Sequence, residues 1–196
     1  MPFRIESTPL AGLLILHADV YSDDRGFFME VYRSDRFTGL GLPGSFAQDN
    51  HSRSRKGVLR GLHFQWDPPQ GKLLRVTAGT AFFALVDLRK NSPTLGKHFP
   101  IELAAGTGRQ IWAPPGFANG FCALSDAIEI QYKCTAVYNS AGEGAIRWDD
   151  PDLGIRWPVD APVLSPKDAG AQTFAAWLKK PESDLFRLGP GDGEDR

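Results

Sequence analysis

The fold class this sequence predicts is all-β: a sandwich, a jelly roll or a barrel. Three observations predict it. Turn signals recur every 8–15 residues, from Asp23-Asp24-Arg25-Gly26 through Asp67-Pro68-Pro69 and Asn91-Ser92-Pro93 to Ser125-Asp126. The 21 glycines and 15 prolines supply most of these turns. Between them lie short runs rich in Val, Ile, Leu, Phe and Tyr, and helical signals are few.

Ser34-Asp35-Arg36-Phe37 ending at Gly39 suits one short helix. Residues 60–65, Arg60-Gly61-Leu62-His63-Phe64-Gln65, alternate with the period of a strand and set Leu62 and Phe64 against Gly61, His63 and Gln65. Further strands are expected over Leu73–Thr77, Ala81–Leu88, Gln110–Trp112, Phe121–Leu124 and Ile128–Val137. Pro114 to Gly120 reads as a turn. Ser165-Pro166-Lys167-Asp168 carries an N-cap, a proline at the first helical position and an acidic residue three on from the cap. A second helical piece, Gln172–Lys179, stops before Pro181. No composition break divides the 196 residues, so one domain is expected over 1–185 and a mobile tail over 186–196.

With 42% apolar and 23% charged residues, the chain can build a core. A net charge of −1 gives no global pull toward nucleic acid or an anionic membrane, so neither is expected as a partner. Leu13-Leu14-Ile15-Leu16, the longest early apolar stretch, is too short for a membrane span or a signal core. Cys122 and Cys134 form no spacing pattern and suit reduced thiols in the cytoplasm, although their number also permits one disulfide.

His63 on its own admits three readings: a core histidine bonded to a carbonyl, a metal ligand or a base. His17, His51 and His98 stand at no ligand spacing from it, and the nearby polar groups Gln65 and Asn119 are amides, a poor set for a divalent transition metal. No metal is therefore expected. Arg60, Lys72 and the run Gln48-Asp49-Asn50 lie close by in sequence among strand-like segments. Polar groups on core-facing strands are costly unless paired or used, which points to a polar cavity inside a barrel.

Ten segments together carry a family resemblance. They include Asp24-Arg25-Gly26-Phe27-Phe28-Met29-Glu30, Gln48-Asp49-Asn50-His51-Ser52, Val58-Leu59-Arg60-Gly61-Leu62-His63-Phe64-Gln65, Gln70-Gly71-Lys72-Leu73, Pro115-Gly116-Phe117-Ala118-Asn119-Gly120-Phe121, Tyr132-Lys133-Cys134-Thr135 and Leu164-Ser165-Pro166-Lys167-Asp168. In this order, from Gly12 to Asp168, the sequence resembles the dTDP-4-dehydrorhamnose 3,5-epimerase family, the dTDP-sugar branch of the cupins. The resemblance implies a cupin double-stranded β-helix and an epimerase that inverts C3, C5 or both in a nucleotide-linked 4-keto-6-deoxyhexose, with no cofactor. It implies His63 as base, Asp168 as its partner, Lys72 as the cation that stabilises the enolate, and Tyr132 as acid. Taken alone, Asp168 is equally a helix-capping carboxylate, Lys72 a solvated strand-end lysine and Tyr132 a core aromatic. Substrate-binding positions are matched by Arg25, Phe27, Glu30, Gln48, Asp49, Asn50, Arg60, Tyr138, Glu143 and Lys167, with Asn119 standing where the family has a histidine. In the family Arg25 and Glu30 come from the partner subunit, which implies a homodimer. Gly61 is expected to mark a bulge that re-aims Arg60 toward the side of His63. Two other readings remain: a single-centre epimerase, and a cupin that binds a sugar nucleotide without catalysis. A 3,4-ketoisomerase of related fold is made less favourable by Tyr132.

Overall fold

A computed structural model describes residues 3–189. Thirteen strands dominate it. β1 (Phe3–Ser7), β2 (Leu14–Ala18), β10 (Arg109–Ala113), β7 (Lys72–Ala78), β12 (Ala127–Cys134) and β5 (Gln48–Arg55) form a six-stranded antiparallel sheet in the order β1-β2-β10-β7-β12-β5. β13 (Glu143–Ala145), β6 (Leu59–Gln65), β11 (Phe117–Ala123), β8 (Thr80–Asp87) and β9 (His98–Ala104) form a five-stranded sheet, β13-β6-β11-β8-β9. β3 (Tyr21–Asp23) and β4 (Gly26–Phe28) make a separate hairpin. The all-β expectation holds, and the two sheets form the jelly roll of a cupin.

The sheets face each other over a core that alternation dictates. Leu74 and Val76 of β7, Ile128 and Ile130 of β12, and Phe83 and Leu85 of β8 point inward and are almost fully buried. Phe64, Trp177 and Phe186 pack a second cluster behind the five-stranded sheet. The three short helices lie where the sequence places them: α1 (Ser34–Gly39), α2 (Pro166–Ala169) and α3 (Phe174–Leu178). Two expectations shift. Phe117–Gly120 is strand rather than turn, because only Gly116, at φ +93°, makes the corner before β11 pairs with β6 and β8. Phe186 is only 2% exposed, so the packed chain runs past 185. The rest of the expected tail, from residue 190 on, lies outside the described residues.

Gly61 does sit at an irregularity. Asn119 pairs with His63 and Phe121 with Arg60, so three steps on β6 oppose two on β11. The extra residue brings Arg60 to the face of His63. A side chain at Gly61 (φ +131°) would place its Cβ 2.5 Å from Gly120 Cα.

One polar knot is fully enclosed. Asp87 takes two hydrogen bonds from the Arg89 guanidinium, each 2.8 Å, plus those of the Ser92 and Thr94 hydroxyls. Both charged side chains are 0% exposed. Burial pushes the Asp87 carboxyl up, but Arg89 and Ser92 outweigh it and hold it below the usual range. Replacing Asp87 with alanine leaves a buried guanidinium without its carboxylate, and should lower stability by about 3–5 kcal/mol. A fall in the urea midpoint, with barely changed slope, is the expected reading.

Candidate active site

A cavity of about 310 Å³ opens between the two sheets. Gln48 and Asn50 of β5, Tyr132 of β12 and Lys72 of β7 line it from the six-stranded sheet. His63, Phe64 and Gln65 of β6 and Glu143 of β13 line it from the five-stranded sheet, with Gln70 and Tyr138 from loops. His63 and Tyr132 thus stand on opposite walls.

His63 Nε2 meets Asp168 Oδ1 at 2.5 Å. Asp168 is 3% exposed and is held from three sides. The Ser165 hydroxyl donates to Oδ2 at 2.7 Å while accepting from the Asp168 backbone N–H, and the Gly61 N–H donates to Oδ1 at 3.4 Å. Asp168 therefore both accepts from the N-cap hydroxyl of its own helix and partners the imidazole; the two uses suggested by the sequence are one arrangement. Burial pushes its carboxyl up, but the His63 hydrogen bond and charge, Ser165 and Gly61 outweigh it and keep it ionised. An ionised acceptor on Nε2 fixes that nitrogen as the protonated one and leaves the lone pair on Nδ1.

Tyr132 is kept protonated. Burial, then Cys134 and Glu143, raise its phenol above the usual range against an opposing pull from Arg60. Lys72 Nζ donates to Asn119 Oδ1 at 3.0 Å and lies 5.9 Å from the centre of the Tyr132 ring. Burial pushes its ammonium down.

Other residues singled out by the sequence divide into three groups. At the cavity mouth, Glu143 accepts from Tyr138 Oη at 2.9 Å and from Lys167 Nζ, tying β13 to α2. Near the site, Arg60 donates to Ser54 Oγ and to the Arg53 carbonyl. Outside the cavity is Asp49, paired with Lys133 Nζ at 2.9 Å. The alternation of β5 turns Gln48 and Asn50 inward and Asp49 outward, so the three cannot share one face. Arg25 and Phe27 sit on the β3–β4 hairpin, with the Arg25 side chain 90% exposed and paired with Asp23. Glu30 is half-buried, 4.0 Å from Arg33. None of these last three lines the cavity of their own chain.

Sequence reasoning gave no role to Gln65 and Gln70. Gln65 binds the carbonyls of Pro68 and Val137 and the N–H of Asn139, and Gln70 binds the Ala136 carbonyl, so together they hold the 135–139 loop over the cavity. For Gln65 a signal was present, because an amide on a strand position that faces a core needs partners; Gln70 lies in the loop before β7 and carried none.

The described residues contain no group of three His, Cys, Asp or Glu side chains that could hold a metal ion. Chelator should accordingly leave activity unchanged; loss of activity that added divalent metal restores would contradict this. Both cysteines are free and buried, and no helix among the described residues is long and apolar enough to cross a membrane.

A jelly roll that faces a carboxylate-backed histidine against a protonated tyrosine, with a lysine between the sheets, defines a class: isomerases that move a proton at a carbon next to a carbonyl. The comparisons with known proteins specify it. The model of the dTDP-4-dehydrorhamnose 3,5-epimerase family matches residues 7–176, and the chain belongs to that family. It is 48% identical over 169 residues to the dTDP-4-dehydrorhamnose 3,5-epimerase of Methanothermobacter thermautotrophicus, covering 85% of this chain and 91% of the relative. It is also 48% identical over 172 residues to the enzyme of that name from Neisseria gonorrhoeae, covering 87% of this chain but only 52% of that relative's length. The solved dTDP-6-deoxy-D-glucose-3,5-epimerase of Legionella pneumophila, in complex with dTDP-4-keto-L-rhamnose, superposes with a TM-score of 0.89 at 43% identity, covering 96% of this chain and all of that one.

Proposed function

We propose that this protein inverts both C3 and C5 of a dTDP-linked 4-keto-6-deoxyhexose, within deoxysugar assembly. The observation that carries the reading is the placement of His63 and Tyr132 on opposite walls of one cavity, with Lys72 reaching into the same space. His63 Nδ1 takes the proton from a carbon flanking the C4 ketone, and the electron pair moves onto the ketone oxygen. The Lys72 ammonium stabilises that enolate oxygen. Tyr132 returns a proton to the opposite face, and solvent restores both groups. Bonds and charges balance with no redox change and no cofactor. C3 and C5 flank the same ketone, so one base, one cation and one acid suit both.

Gln48, Asn50, Tyr138, Glu143 and Lys167 line or border the cavity and fit sugar, phosphate and base contacts; Arg60 supplies a guanidinium fork for the diphosphate. Arg25, Phe27 and Glu30 are distant from their own cavity, which fits donation to a partner's site in a homodimer. The exposed Tyr21, Phe27 and Phe28 of the hairpin support that assembly. Two free cysteines suit the cytoplasm. The single-centre reading keeps one specific observation in its favour, Asn119 where the family has histidine.

Proton NMR in deuterated water with dTDP-4-keto-6-deoxyglucose separates the readings. Loss of the C3 and C5 signals, with a rhamnose-configured product after reduction, is the expected result. Loss of one signal only would make this a single-centre epimerase, and loss of neither would leave a cupin that binds without turning over.

A further inference from the structure

Resting on that reading of the reaction, we propose that Asn119 is a positioning residue for Lys72: its amide oxygen fixes the ammonium between the sheets, in the cavity that the base also lines, and holds it as a cation. Lys72 opens β7 in the six-stranded sheet, whereas Asn119 belongs to β11 in the five-stranded sheet. Their 3.0 Å hydrogen bond therefore crosses the barrel interior. In its own sheet Asn119 stands directly opposite His63. The cation's anchor is thus registered against the strand residue that carries the base.

The chemistry of the contact has one orientation. An ammonium only donates, so the amide must present its oxygen to it. Asn119 is 9% exposed and is not among the residues lining the cavity, so it acts behind Lys72 and not on the sugar. It is the only hydrogen-bond partner of Lys72 Nζ among the described residues, which leaves two N–H donors for the enolate oxygen.

The remaining neighbours explain why a neutral acceptor fits there. Cys134 and Tyr132 of β12 face Lys72 as protonated, neutral groups. Glu143 of β13 attracts the ammonium and Lys167 of α2 repels it, but these two are already paired with each other. His63 across the cavity gains positive charge during turnover. Burial meanwhile drives Lys72 toward the neutral amine. A carboxylate at position 119 would hold the ammonium but cancel much of its field at the oxyanion. An imidazole would itself titrate. The amide supports the charge without competing for it.

Two measurements test this. In the first, kcat and KM are followed from acid to alkaline pH for the parent, Asn119→Leu and Asn119→His. Asn119→Leu should lose at least about tenfold in kcat, with KM changing far less, because the cation is no longer placed. Its alkaline limb should move to lower pH, because an unsupported buried ammonium deprotonates sooner. Asn119→His should keep the parent's alkaline limb, because a neutral imidazole can still accept from the ammonium, and should add an acid limb below the ordinary imidazole value as the ring becomes cationic beside Lys72. A folded Asn119→Leu with the parent's kcat and alkaline limb overturns the proposal.

The second measurement needs no turnover: the titration of the Lys72 Nζ resonance by nitrogen-15 NMR. It should shift to lower pH in Asn119→Leu, and an unmoved titration overturns the proposal as well. If the parent fails to exchange protons in the sugar while the Lys72 titration moves, the reading of the reaction fails and the assignment of Asn119 to Lys72 stands.

Discussion

His63→Ala should abolish epimerisation while leaving nucleotide binding largely intact. Loss of a general base removes about 10²–10⁴-fold in rate. Here the loss should reach the upper part of that range, because among the described residues no other cavity-lining side chain that could accept the proton backs onto a buried carboxylate. Binding should survive because the polar lining from Gln48 and Asn50 to Tyr138 and Glu143 rests on other segments of the chain. Deuterium exchange at C3 and C5 and calorimetric binding of dTDP check the two halves separately. Substantial residual exchange would remove His63 as the base. The His63–Asp168 pair also leaves a mark on stability. The folded-state pKa of Asp168 lies below its ordinary value of 3.8, so its contribution is present above that pH and is lost as the pH falls through the folded value. Asp168→Asn should flatten that acid limb of the stability curve.

The second large effect belongs to Tyr132. With phenylalanine in its place the cavity keeps its shape and His63 keeps its partner, but the opposite wall no longer holds a proton. Deuterium should still enter at C3 and C5, delivered back by His63 on the face from which the proton left. Inversion should fall by about 10²–10⁴-fold. Exchange without inversion is thus the signature expected of Tyr132→Phe. An inversion rate equal to the parent's would mean that some other group, or water, returns the proton.

The legibility of this protein in its sequence follows its periodicities. β7 and β12 are plain because inward aliphatics alternate with other residues, and β8 because it is an almost unbroken apolar run. β5, Gln48–Arg55, contains no aliphatic residue and no Phe, Tyr or Trp, and alternation of hydrophobicity could not find it. Its inward positions line a cavity rather than a core, so the same polarity that hides the strand marks the site. Asp49 was grouped with its neighbours because a motif is read as a block, whereas a strand sends adjacent residues to opposite faces. Arg25, Phe27 and Glu30 show a different boundary: the matching motif was visible, but one chain does not bring these residues to its own cavity. The capping pattern at Ser165–Asp168 was legible, and so was the bulge expected from Gly61, since both are local. Gln65 and Gln70 were not, because their partners lie in a loop about 70 residues further along the chain.

The His63–Asp168 contact joins residues 105 positions apart, and Asp168 sits on a one-turn helix that follows the last strand of both sheets. During synthesis from the N-terminus, every strand of the barrel is made before the carboxylate that orients its base. Closing so distant a contact comes late for any chain that gains its local pairings first. The enzyme therefore acquires its shape before its chemistry. Until the C-terminal segment docks, His63 lacks the carboxylate that orients its ring.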